Sequence, residues 1–325
     1  MISTEHLFKF AWLKCKHVPW SRVIISTLFG LIITCFCYQV LKSLRLGAGD
    51  LASAMPIAKN LIAGRDPYSY CGDAFFVPYP LTAVLIVLPF AWLTDEFGAA
   101  LFFGLSSALL AFGVTKHGYA RLLIFLSYPY LAALITAQWS PLLMAVAFFP
   151  VLLPLTMAKP HIGFPIAVTN LTRRGVLMCA LFALLSLAVM PTWPLRWLGQ
   201  IGEYRRFVPL LTWPGLLLPL ALIRYRDKDA RLLLLAALIP QRWAYDAFIL
   251  WLIPKKWPEI LPVSLLSWGV AIWIKNTESK TIEEAGTVTV LCCYIPMLLL
   301  VLLRRRPQSH SEEVSPDATQ PLPNS

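Results

Sequence analysis

The sequence predicts an all-α protein, a polytopic bundle of membrane-spanning helices. Of its 325 residues, 58% are hydrophobic and 14% charged, against about 25% charged in soluble domains. The apolar excess recurs along the whole chain in stretches broken by short polar links, which is the pattern of repeated membrane crossing. Basic residues sit directly beside those stretches, as in Arg304, Arg305 and Arg306 after the last of them, and such flanking charges set orientation.

Residues 1–21 read as a cytoplasmic N-terminal segment with Lys9, Lys14 and Lys16. The stretch that follows is long and lacks a small-x-small cleavage site, so it reads as a signal anchor. Hydropathy then gives about twelve spans near 22–44, 79–94, 97–115, 121–136, 140–156, 160–171, 175–190, 213–224, 231–241, 243–254, 258–274 and 285–303. Several fall short of the roughly 20 residues of a simple span. Short, proline-rich segments survive where they pack inside protein or line a cavity. The transmembrane domain is therefore 22–303. Residues 304–325 form a basic stop-transfer signal and a polar tail, expected to be disordered.

With the N-terminus inside, twelve spans return the C-terminus inside. Arg173–Arg174, Arg224–Lys228, Lys255–Lys256 and Arg304–Arg306 then fall on the cytoplasmic side of an inner or plasma membrane. The longer links, 45–78, 191–212 and 275–284, fall outside. Lys116, His117 and Arg121 also land outside, against the trend. The net charge of +11 reflects topology and contact with membrane lipids rather than nucleic acid. Six of the cysteines lie in or beside apolar stretches, and Cys71 alone lies in a loop. There is no CxxC, so neither a metal site, a cofactor nor a disulfide framework is expected.

Two outer loops carry amphipathic segments. In "GAGDLASAMPIAKNLIAGRDPYSY", apolar residues at 51, 54, 55, 58, 61 and 62 share one helical face. A short helix in the headgroup layer fits, with Lys59 on its wet side, Pro56 in an early turn and Gly64 as its stop. The loop "PTWPLRWLGQIGEYRRF" has Trp193, Trp197 and Tyr204 among arginines, another headgroup-layer pattern. Arg196, Arg205 and Arg206 are expected to meet headgroups.

Ionisable groups recur at the outer ends of the spans: Lys159 and His161 in "AKPHIG", and Gln241, Arg242 and Asp246 in "PQRWAYD". Such groups at membrane depth are costly and functional by default. Lys159, His161 and Arg242 suit a phosphate, and Asp50 suits a proton acceptor, the chemistry of transfer from a phosphate-bearing lipid. Asp66 and Tyr68 close the first loop at Pro67, where a turn explains them equally well. Gln138 falls on the inner side in this topology, so its helix is re-entrant or its role structural.

In order and spacing, these elements resemble glycosyltransferase family 87, also called DUF2029, the polyprenol-phosphate-mannose-dependent mannosyltransferases of the GT-C superfamily. The matching elements are Asp50, Gly64-Arg-Asp66-Pro-Tyr68, Tyr79-Pro80, Ala137-Gln138 and Lys159-Pro160, and the likeness covers roughly residues 20 to 255. It implies a GT-C fold with interfacial helices in the first outer loop and a catalytic Asp there, Asp50. It implies a polyprenyl-phosphate sugar donor, a lipid or glycan acceptor, and reaction on the non-cytoplasmic face. The donor and substrate set would comprise Lys159, His161, Arg242, Gln241, Asp66, Tyr68, Tyr79, Tyr245 and Asp246. One departure stands in "QRWAYDAFILW", where Tyr245 and Asp246 occupy positions usually held by His. Inverting hexosyl transfer, of mannose by the resemblance, is the leading expectation. A transporter or flippase of lipid-linked or anionic solutes, or a non-catalytic relative, is the alternative.

Overall fold

The computed structural model describes residues 19–69, 79–200, 206–278 and 281–304. Tyr70 and Cys71, Arg205, most of the N-terminal segment and the tail expected to be disordered lie outside the described residues. Within them the chain is helical, and its one β-type contact is an isolated antiparallel bridge between Phe207 and Gln241. Four helices are long and apolar enough to cross a membrane: Trp20–Ser43, Asp95–His117, Trp257–Asn276 and Ile282–Leu303. A fifth span is reached if Arg173–Val189 and the helix after it count as one, although they bend by 86°. The remaining apolar stretches fold as shorter pieces, so twelve full-length spanning helices are not seen.

The first helix, α1 (Trp20–Ser43), packs along the length of another, and small residues allow the close approach. A Cβ on Gly30 would stand 2.6 Å from the Ala108 Cβ, and one on Gly104 would stand 2.7 Å from the Gly30 carbonyl oxygen. This is the small-xxx-small packing of membrane helices, in which backbone proximity replaces hydrophobic drive. Ser21 Oγ lies 2.7 Å from Tyr119 Oη, and Arg22 Nε donates to Thr115 Oγ1 at 3.3 Å. Cys37 Sγ donates to the Leu134 carbonyl at 3.3 Å. The Trp20 end of α1 thus meets residues 112–119, and its Ser43 end meets residues 134–136.

Several legs between the two ends are wound as 3-10 helix: Tyr119–Leu126, Pro150–Ala158, Gly215–Arg224 and Ala244–Leu252. Such runs are normally short. Here three of them carry prolines or start at one (Pro150, Pro154, Pro219) or follow a glycine (Gly118). Proline removes the α-helical donor, and the tighter winding gains about 2.0 Å of rise per residue in place of about 1.5 Å.

Two stretches depart from the expected spans. Residues 79–94 form helix Leu81–Val87 and a short continuation to Phe90. Tyr79 at one end bonds Asp50, and Asp95 just past the other pairs with Lys59 at 2.6 Å. Both ends therefore contact the 45–66 loop, and the helix, Leu81–Phe90, is shorter than those long enough to cross a membrane. Residues 140–156 are two legs rather than one, broken at Phe149-Pro150. A proline and its restricted predecessor end a helix there.

Of the basic residues expected outside, His117 and Arg121 line one cavity with Lys228 and Lys255, which were expected inside. The cavity lies at the Trp20 end of α1, where Arg22 meets Thr115.

The outer-loop helices form largely as expected. Ala54–Ile62 buries Ala54, Met55, Ile57 and Ala58, and Pro56 sits in its first turn. Gly64, at φ +67°, closes it as the left-handed residue of a Schellman cap, with Arg65 N–H on Asn60 O at 2.9 Å. Lys59 is paired with Asp95 rather than simply solvated. Arg196 lies on helix Trp193–Gln200, where it grips Asp66 through two bonds of 2.7 and 2.6 Å. The expected headgroup partner of Arg196 is thus replaced by a clasp between the two outer loops.

Candidate functional site

Four chain breaks, each a helix end or turn, deliver the polar side chains of the site. Asp50 follows α1, which ends in a Schellman cap with Arg45 at φ +54° and Leu46 N–H on Leu41 O at 2.9 Å. The chain then folds back through Gly49, at φ +57°, whose absent Cβ would stand 2.5 Å from the Thr136 carbonyl oxygen. Only glycine fits this left-handed, close approach. It lets the Asp50 N–H donate to Thr136 O at 2.8 Å.

Gln138 arrives by the same device. Helix Tyr128–Ile135 ends with Ala137 at φ +48°, its N–H on Leu134 O at 3.2 Å and the Gln138 N–H on Ala133 O at 2.9 Å. Lys159 is the N-cap of helix Pro160–Thr169, at the junction with the 3-10 leg below it. Asp246 lies in the first turn of Ala244–Leu252, where it accepts from the Arg242 N–H at 2.9 Å.

These breaks converge. Lys159 Nζ donates to Asp50 Oδ2 at 2.9 Å and to Gln138 Oε1 at 2.6 Å. Tyr79 Oη donates to the same Asp50 oxygen at 2.5 Å. Asp246 Oδ1 stands 4.0 Å from Lys159 Nζ, and the Tyr245 ring lies beneath that ammonium at 5.5 Å. Side-chain exposure is 5% for Lys159, 11% for Asp50 and 1% for Asp246. A charge pair this buried is strongly coupled: at 2.9 Å and an effective dielectric of about 20, the attraction is about 6 kcal/mol before desolvation. Burial pushes the Asp50 carboxyl up. The Lys159 charge and bonds from Tyr79, Lys159 and Gln138 outweigh it and hold Asp50 below the ordinary carboxylate range.

Several buried polar atoms here have no hydrogen-bond partner among the described residues: Trp139 Nε1, His161 Nε2, Gln241 Oε1 and Asp246 Oδ1. Each such atom costs about 1–3 kcal/mol. His161 Nε2 is 3.9 Å from Asp246 Oδ2, near but beyond hydrogen-bond reach. Gln241 donates to Ala236 O and to Tyr294 Oη, which uses its amide and leaves its oxygen unpaired. No group of three His, Cys, Asp or Glu side chains lies at metal-binding spacing among the described residues.

Of the expected site residues, Asp50, Tyr79, Lys159, His161, Gln241, Tyr245 and Asp246 come together here. Arg242 is half-buried beside them, and its backbone holds Asp246. Asp66 and Tyr68 stand outside the cluster and support it. Asp66 Oδ1 accepts from the Tyr68 N–H, and Tyr68 Oη donates to the carbonyl of Tyr79, which bonds Asp50. Gln138, whose place on the inner side of the sequence count made its helix re-entrant or its role structural, is a direct partner of Lys159. Trp139 and Gly49 were not anticipated. Trp139 is fully buried against Tyr79 and Phe102 at ring distances of 5.7 and 4.8 Å, and its signal was a polar Gln-Trp pair inside an apolar stretch.

No family model, curated protein or solved structure matches the chain.

Proposed function

We propose that this chain is an integral membrane glycosyltransferase that moves a hexose from a polyprenyl-phosphate sugar to an acceptor hydroxyl. The observation that carries the reading is the buried Lys159–Asp50 pair at 2.9 Å, a phosphate-binding cation held against a potential base. In the proposed step, the donor phosphate draws the Lys159 ammonium away from Asp50. The freed carboxylate then takes the proton of the acceptor hydroxyl as its oxygen attacks the anomeric carbon. The bond from that carbon to the phosphate oxygen breaks, polyprenyl phosphate leaves, and configuration inverts. A phosphate is a good leaving group and needs no general acid. Tyr79 positions Asp50, and the unpaired atoms of Trp139, His161, Gln241 and Asp246 offer donors and acceptors for sugar hydroxyls.

The finer topology belongs to the same proposal. Twelve legs would cross or partly cross the membrane, with 79–94 outside and 140–158 counted as two, and with both termini cytoplasmic. The mannose specificity rests on the resemblance alone, and with it the reading of Tyr245 and Asp246 in place of His. Asp246, 4.0 Å from the Lys159 ammonium, adds a second carboxylate to the cluster.

A second reading is a transporter of lipid-linked or anionic solutes. It is favoured by buried charges set between broken helices, the arrangement of many solute sites. The two readings part on covalent product. Membranes containing the chain would be given radiolabelled polyprenyl-phosphate-mannose and other polyprenyl-phosphate sugars. Label in a new glycosidic product supports the transferase; label moved across the membrane unchanged supports transport.

A further inference from the structure

At the end of the bundle opposite Asp50 lies a polar cavity of about 480 Å³. Its rim carries exposed Lys228 and Lys255, and its floor carries Arg121, Asn170 and Asp229, all under 9% exposed. Phe148, Leu232 and Leu252 supply an apolar wall.

The charge is unbalanced in a specific way. Asp229 is spoken for: it takes Lys255 at 2.9 Å and Arg304 at 2.6 Å. Arg121 and Lys228 have only neutral acceptors. Arg121 Nη2 donates to the Pro254 carbonyl at 3.3 Å, and Lys228 Nζ donates to Asn170 Oδ1 at 2.7 Å. Arg121 is 6% exposed and its Nε is buried with no hydrogen-bond partner among the described residues. Asp229 and Glu259 act on Arg121 only through space, with no hydrogen bond to it. A buried guanidinium with no directly bonded carboxylate is costly, and an anion in the cavity would relieve it.

We infer that this cavity binds a phosphate group, with Arg121 at its floor and Lys228 at its rim as the ligands. A guanidinium and an ammonium lining one cavity, whose one carboxylate, Asp229, is already bonded to Lys255 and Arg304, suit phosphate oxygens. The apolar wall beside them fits the glycerol and first methylenes of an anionic phospholipid, and basic pockets between membrane helices take such headgroups. A free phosphate would use the same two cations. The site is separate from the Asp50 cluster and does not depend on the transferase reading.

The test uses the purified full chain in neutral detergent. Thermal stabilisation would be titrated with inorganic phosphate, dihexanoyl phosphatidylglycerol and zwitterionic dihexanoyl phosphatidylcholine. Lys228→Gln removes one ligand at an exposed position, Arg121→Gln removes the other, and Lys159→Gln controls for the Asp50 site. Stabilisation by phosphatidylglycerol alone, weakened tenfold or more in Lys228→Gln and kept in Lys159→Gln, supports the site with a lipid as its source. The same pattern with inorganic phosphate as well supports it with a free phosphate sufficing. Equal stabilisation by phosphatidylcholine, no binding of either anion, or binding lost in Lys159→Gln but kept in Lys228→Gln would overturn it.

Discussion

Gly49 sets where Asp50 stands, and a pair of alanine variants isolates how. Gly47 and Gly49 have nearly the same backbone, at φ +55° and +57°. Alanine at either pays the left-handed penalty of about 1–2 kcal/mol. They differ in surroundings. A Cβ on Gly47 meets nothing within 4 Å, whereas one on Gly49 lies 2.5 Å from the Thr136 oxygen and 2.9 Å from its carbonyl carbon. Those atoms are backbone, in the cap that also positions Gln138, so they cannot swing aside. Overpacking of this kind adds about 1–3 kcal/mol. The Asp50 N–H bond to Thr136, at 2.8 Å, would be stretched or lost with it. Gly49→Ala should therefore cost about 2–5 kcal/mol, roughly 1–3 kcal/mol more than Gly47→Ala. A displacement of about 1 Å at the carboxylate would lower transfer about 10²-fold, while Gly47→Ala stays near wild type. Unfolding in detergent and transfer rate would be measured for both. Equal stability and equal activity of the two variants would refute the reasoning.

Other consequences follow from the same contacts. Asp50 is held below its ordinary range, so its contribution to stability is present above about pH 4 and is lost as pH falls through its lowered value. Transfer by the wild type should then show no acid limb from Asp50 above about pH 4. Lys159→Gln removes the largest lowering influence and leaves burial to raise the carboxyl, so that any residual acid limb moves to higher pH; an unmoved limb contradicts the coupling. The Asp66–Arg196 clasp is half-exposed, and a double-mutant cycle with alanine at both positions should give a coupling under about 1 kcal/mol. A coupling of several kcal/mol would mean that the clasp carries the outer loops. Ala137→Gly relieves a left-handed alanine in the cap before Gln138 and should stabilise by about 0.5–1 kcal/mol after the entropy lost by glycine. A measured loss of stability would contradict the strain at that position.

Much of the site was legible because its residues are chemically out of place. A carboxylate just past the first apolar helix, a lysine before a proline at a span end, and a tyrosine opening a helix all stand out in an apolar chain. The glycine at 64 and the proline at 56 fixed a helix by backbone chemistry that acts locally. Gln138 fell on the inner side of the hydropathy count for a non-local reason. Hydropathy cannot tell a ten-residue apolar helix whose two ends meet one loop from one that crosses, so 79–94 counted as a span. In the proposed topology, leaving it out moves every residue from there to Phe149, Gln138 and Arg121 included, to the other side. Pro150 splits 140–156 into two legs, which restores the count for Lys159 and Asp246. The 3-10 winding of the short legs was likewise invisible, because it follows from how prolines are accommodated between packed neighbours.

The most direct test of the central claim measures donor binding and sugar transfer side by side in purified wild type, Asp50→Asn and Lys159→Gln, with the polyprenyl-phosphate sugar that gives product. The account predicts that Asp50→Asn binds donor at least as well as wild type, because Lys159 is released from its partner, yet loses transfer by a factor of 10² or more. Lys159→Gln should lose donor binding first. Full transfer by Asp50→Asn, or unchanged donor affinity in Lys159→Gln, would contradict it.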